Sequence, residues 1–112
     1  MISVEFTQKG KGSCIVVCGH AGTAPKGEDL VCCAVSALVY TAAQCALDLY
    51  GEGFLQQFPE TILKPGNSQV AALATEEGAQ RVRQMFVTVA TGLQLLARQY
   101  PENVSYVERV WE

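Results

Sequence analysis

Ile2, Val4 and Phe6 alternate with Ser3, Glu5 and Thr7, the period-two pattern of a strand with one face in a core. The glycines in KGKGS, residues 9–13, suit a tight hairpin turn because they adopt positive φ without a Cβ clash. Cys14 to His20 then reads as a second strand, with Cys14, Val16, Cys18 and His20 on one face and Ile15 and Val17 on the other. Both faces are apolar, which places this strand in the middle of a sheet. Gly19 to Glu28 contains Gly19, Gly22, Pro25 and Gly27 and has no periodicity, so it reads as a loop. Asp29 is the expected N-cap of a helix that runs to about Tyr50 and is ended by Gly51 and Gly53. Leu30, Ala34, Leu38 and Cys45 fall on one side of it, and Val31, Val35, Val39 and Ala46 fill much of the rest. A helix apolar nearly all round is expected to pack on more than one side, against the sheet and either a second helix or another subunit.

Phe54 to Lys64 reads as a third strand, interrupted or bulged around Pro59, which argues for an edge or an irregular start. Pro65-Gly66-Asn67 is a turn, and Gln69 to Ala74 a fourth strand. Thr75, Glu76 and Glu77 form a capped, acidic helix start. Val82, Phe86, Val89, Leu93, Leu96 and Tyr100 then recur at three- and four-residue spacing up to Pro101, the pattern of an amphipathic helix. Asn103 to Trp111 closes the chain as a strand. The prediction is an α+β fold: a two-layer sandwich with a mainly antiparallel sheet and two helices, ββαββα with a short C-terminal strand, as one domain over residues 1–112.

Composition narrows the function classes. Hydrophobic residues make up 49% of the chain and charged ones 17%, as in a packed globular domain. The net charge is −3, and the eight lysines and arginines are scattered, so no basic stripe offers a direct nucleic-acid surface. The N-terminus lacks the build of a secretory signal, and the longest apolar run, Val31 to Ala43, falls short of the ~20 residues of a membrane span. A cytoplasmic protein without membrane attachment is expected. Its five cysteines are an odd number, and in a reducing compartment they predict no disulfide framework.

The candidate chemistry centres on His20 and Cys32, twelve residues apart, with His20 the one histidine in the chain. A thiolate is favoured by a neighbouring imidazole and by a helix N-terminus. If His20 ends the second strand and Cys32 lies in the first turn after an Asp29 cap, the intervening loop folds back and brings the two side chains together. Unpaired amides of that turn would then face the thiolate and a developing oxyanion. The spacing fits a satisfied core histidine beside an inert cysteine equally well. Cys33 competes as nucleophile but lies ~100° around the helix. A zinc site from Cys14, Cys18, His20 and Cys32 or Cys33 is disfavoured, because strand geometry holds same-face neighbours about 7 Å apart and no Cys-x-x-Cys knuckle is present. Cys14, Cys18 and Cys45 read instead as small buried hydrophobes. No metal and no cofactor are expected.

Gly19-His20-Ala21, followed by Gly27-Glu28-Asp29-Leu30-Val31-Cys32 and Ala34-Val35-Ser36-Ala37-Leu38, resembles the signature of the ribosomal-processing cysteine proteases called Prp. The resemblance implies an endopeptidase with His20 as base and Cys32 as nucleophile, and with Asp29 and Ser36 in supporting positions. It implies a substrate-clamping loop over residues 21–28, including Ala21, Gly22 and Gly27. The implied substrate is the N-terminal extension of a large-subunit ribosomal protein, number twenty-seven, and the implied assembly is a homodimer. Cys33 stands where that signature usually has alanine, and the loop here carries no aromatic residue. The competing reading is a non-catalytic, ribosome-associated dimeric interaction module that keeps the fold.

Overall fold

The computed structural model describes residues 1–19 and 26–111, with side chains from Leu30 onward in the second stretch. Its elements are β1 (Ile2–Lys9), β2 (Gly12–Cys18), α1 (Lys26–Gly51), β3 (Glu60–Lys64), β4 (Asn67–Leu73), α2 (Ala79–Gln99) and β5 (Val104–Trp111). The strands form one sheet in the order β3-β4-β2-β1-β5, so the strand with two apolar faces is central, as its pattern predicts. β1 and β2 pair antiparallel across the turn at Gly10, whose φ is 56°. β2–β4 and β3–β4 are also antiparallel.

The sheet is mainly antiparallel, as predicted, and is mixed only because β5 runs parallel to β1 from Ile2↔Val104 to Lys9↔Trp111. β5 is also not short: it is eight residues long, the same as β1. The physical cause is the crossover. α2 carries the chain from β4 across the sheet to the far side of β1, and a return of that kind delivers a parallel strand.

Both helices cover one sheet face. The inner positions Ile2, Val4, Phe6, Ile15, Val17, Val70 and Ala72 are buried against Val31, Val35, Val39, Ala42 and Ala46 of α1 and Val82, Phe86, Val89 and Leu93 of α2. α1 therefore packs on the sheet and on α2, but not all round. Leu30 and Tyr40 keep 74% and 55% of their surface exposed, among the exposed polar residues Ser36, Thr41, Gln44 and Asp48 on the side of the helix away from the core. By length and composition alone, Leu30–Gly51 is long and apolar enough to cross a membrane, but its valine and alanine stripe is spent on the sheet, as in the core helix of a globular domain.

The helix ends follow backbone chemistry. At the end of α1, Phe54 N–H donates to Leu49 O and Gly53 N–H to Tyr50 O, both at 3.0 Å. Gly53 has φ of 84°, which makes this a Schellman stop with glycine in its left-handed position. The predicted third strand shrinks to Glu60–Lys64 at the sheet edge, with Leu55↔Ala74 as an isolated bridge. The predicted start of α2 at Thr75 is instead a turn in which Thr75 Oγ1 accepts the Gly78 N–H at 3.0 Å, and the helix begins at Ala79.

Candidate active site

Along α1, Cys32, Val35, Ser36, Val39 and Tyr40 follow the i, i+3, i+4, i+7, i+8 spacing of one helix stripe and line a cleft of about 310 Å³. Eight residues at 1.5 Å each give this wall a length of ~12 Å. Ile2, Val17 and Gly19 line the cleft from β1 and β2, and residues 64–68 from the β3–β4 turn. The valines and Ile2 are buried and make an apolar floor. Ser36, Tyr40 and Asn67 are exposed and form a polar rim. Lys64 is the one charged side chain among the described lining residues.

Cys32 sits at one end of this cleft, half-buried and packed against the core. Cys33, one residue further round the helix, is exposed and does not line the cleft. The opposite wall has its own local cause. Pro65 and Gly66 are the central residues between paired Lys64 and Asn67, and Gly66 has φ of 74°. Proline followed by a positive-φ glycine is the chemistry of a tight turn that most other residues would strain. Gly66 O accepts the Gly19 N–H at 3.0 Å, so the turn is tied to the end of β2.

The predicted site residues divide clearly. Cys32 and Ser36 share the cleft. His20, Ala21 and Gly22 lie outside the described residues. Gly27 and Glu28 are not loop residues, because α1 already begins at Lys26. Asp29 is the fourth residue of that helix rather than its N-cap, and its side chain lies outside the described residues. The correction matters chemically. A helix leaves its first four N–H groups unpaired, and Cys32 is the seventh residue of α1. Its own amide belongs to the helical ladder and is not an oxyanion donor.

The remaining cysteines lie elsewhere. Cys14 and Cys18 alternate with the inward-facing Ser13, Ile15 and Val17, so they sit on the sheet face turned away from the helices. Cys18 is exposed and Cys14 and Cys45 are only half-buried, so none of the three is the fully buried core filler expected. Burial, reinforced by Glu60 and Glu5, pushes the Cys14 thiol above its usual range. Among the described residues, no group of three or more His, Cys, Asp or Glu is placed to hold a metal ion. Tyr40, Lys64 and Asn67 were not singled out by sequence reasoning. Pro65-Gly66-Asn67 announces a turn, but nothing local says that the turn folds over α1.

The family model described as cysteine protease Prp matches residues 1–105. Among solved structures, the ribosomal processing protease Prp from S. aureus, in complex with a substrate peptide, is 20% identical with a TM-score of 0.71, covering 97% of this chain and 100% of that one. The same S. aureus enzyme with a covalently linked product peptide is 21% identical with a TM-score of 0.69, at 97% and 100% coverage. A Streptococcus mutans protein is 24% identical with a TM-score of 0.72, covering 98% of this chain and 95% of that one. At these identities the likeness is one of fold. No curated protein matches the chain significantly.

Proposed function

The chain belongs to the Prp family of cysteine proteases, and from that premise we propose that it is a ribosomal-processing endopeptidase in which Cys32 is the nucleophile and His20 the general base. The observation that carries the choice of nucleophile is the cleft itself: Cys32 lines it beside Ser36, whereas Cys33 is exposed outside it. His20 follows directly on Gly19, a rim residue of the same cleft.

In this reading the His20 imidazole takes the Cys32 thiol proton, and the thiolate attacks the scissile carbonyl to form a C–S bond. As the tetrahedral intermediate collapses, the C–N bond breaks and His20 returns the proton to the leaving amine. Water, deprotonated by His20, then hydrolyses the thioester and frees Cys32. Helix amides at Cys32 do not supply the oxyanion site, so the donors come from around the cleft. The Ser36 hydroxyl one turn along α1 and the Asn67 amide across from it are the described candidates.

The proposed substrate is the N-terminal extension of large-subunit ribosomal protein number twenty-seven, cut in the cytoplasm. An apolar floor about 12 Å long suits roughly three to four residues of extended peptide at ~3.3 Å each. A homodimer is proposed with it, on the family resemblance; exposed Leu30 and Tyr40 are the apolar side chains of α1 that a second copy would cover.

An internally quenched peptide spanning the extension tests the proposal. Cys32→Ala and His20→Ala are each expected to lower kcat/KM by at least about a hundredfold, with Cys33→Ala near wild type. Cleavage that survives Cys32→Ala but not Cys33→Ala would move the nucleophile. Tight binding without cleavage by the wild type would favour the interaction module.

A further inference from the structure

Gly19 is held from two sides. Its N–H donates to the Gly66 carbonyl at 3.0 Å, and a Cβ placed on it would lie 2.3 Å from the Met1 carbonyl oxygen. Its φ is +93°, a conformation that side chains resist. The Met1 side is anchored in turn, since Ile2 N–H donates to Asn103 O at 2.8 Å. The start of β1, the end of β2 and the β3–β4 turn therefore meet at one point on the rim of the Cys32 cleft. Residue 20 begins one peptide bond beyond that point, ~3.8 Å from Cα to Cα.

We infer that Gly19 and Gly66 are positioning residues for the base: their backbone clamp fixes where the chain leaves the sheet, one residue before His20. The inference rests on the His20–Cys32 reading above. A base must stand within hydrogen-bond reach of the proton it takes, and misplacement by about 1 Å costs on the order of a hundredfold. Only six residues, 20–25, separate Gly19 from the start of α1, so little chain is available to absorb a shift at its origin. A side chain at residue 19 collides with a carbonyl, and no rotamer change relieves a backbone contact. A side chain at residue 66 disfavours the positive φ that aims the accepting carbonyl.

The test is the rate profile of Cys32 alkylation by iodoacetamide between about pH 6 and 9, read by tandem mass spectrometry in a Cys33→Ala background. His20→Ala is expected to slow the reaction at neutral pH by about tenfold or more, Gly19→Ala to slow it toward the His20→Ala rate, and Gly66→Ala to slow it less. Val82→Ala, a core change away from the cleft, controls for loss of stability and leaves the profile in place. If Gly19→Ala does not fold, Gly66→Ala decides. Folded glycine variants with the wild-type profile, while His20→Ala shifts it, would overturn the clamp alone. Identical profiles for wild type and His20→Ala would overturn the dyad and the clamp together.

Discussion

Gly78 and Gly92 invite the same substitution with opposite expected results. Gly92 lies inside α2, where glycine costs about 0.8–1.0 kcal/mol relative to alanine. A Cβ there would meet the end of the Leu38 side chain, its two terminal methyls at 3.1 Å and its Cγ at 3.7 Å. Leu38 is half-buried, so its end can swing by a few tenths of an ångström for less than the ~0.5–1.5 kcal/mol of a full off-rotamer shift. Gly92→Ala should therefore stabilise the fold by about 0.3–1 kcal/mol. Gly78 has φ of −89°, which alanine tolerates, but its Cβ would stand 2.4 Å from Phe54 O and 2.9 Å from Phe54 Cα.

That neighbour cannot retreat cheaply. Phe54 O accepts the Thr75 N–H at 2.9 Å and the Thr75 hydroxyl at 3.2 Å, while Phe54 N–H is committed to Leu49 O. Arg81 also lies over the Phe54 ring, 5.0 Å from its centroid. Overpacking at about 1–3 kcal/mol plus one weakened hydrogen bond at about 1 kcal/mol makes Gly78→Ala destabilising by roughly 2–4 kcal/mol. Urea and thermal unfolding read both: Tm should fall by roughly 10–20 °C for Gly78→Ala and rise by a few degrees for Gly92→Ala. Two shifts of the same sign would refute the distinction between a backbone wall and a movable side chain.

Gln8 and Ser13 are buried together, with Gln8 Nε2 donating to Ser13 Oγ at 3.0 Å. Ser13→Ala strands that donor and should cost about 1–3 kcal/mol, whereas Gln8→Leu with Ser13→Ala should recover most of it in a double-mutant cycle. Burial raises the Cys14 thiol, with Glu60 and Glu5 adding to the effect, so its alkylation should lag that of the exposed Cys18 at neutral pH, and Glu60→Gln should narrow the gap. Tyr106 is raised as well, by burial and by its hydrogen bond to Glu108. The folded state holds both protons more tightly than the unfolded chain, so stability should be lost as pH climbs past about 8.5 and further past about 10. A urea midpoint independent of pH across that range would contradict both assignments.

The order of strands and helices is legible in the sequence because alternation and three-to-four spacing are local signals. The central place of β2 agrees with its apolar run, although only Ile15 and Val17 face the helices, while Cys14, Val16 and Cys18 lie on the uncovered face. The start of α1 is not legible. Gly27 reads as a breaker, but its propensity cost of about 1 kcal/mol is outweighed within a 26-residue helix packed on the sheet. The motif around Cys32 marks one wall of the cleft, and Ser36 lies on it. The facing wall comes from the β3–β4 turn, whose contact with Gly19 joins residues 47 positions apart, and no pattern within a single element encodes that.

The parallel pairing of β1 with β5 also sets an order of events in folding. β1 and β2 can close as a hairpin through a two-residue turn, but a lone hairpin is marginal in water. The other edge of β1 is satisfied only by β5, about a hundred residues downstream, and Ile2 on the cleft floor takes its last main-chain partner from Asn103. Contacts so distant in sequence close late and slowly. During synthesis the cleft is therefore finished only after β5 has emerged and docked beside β1.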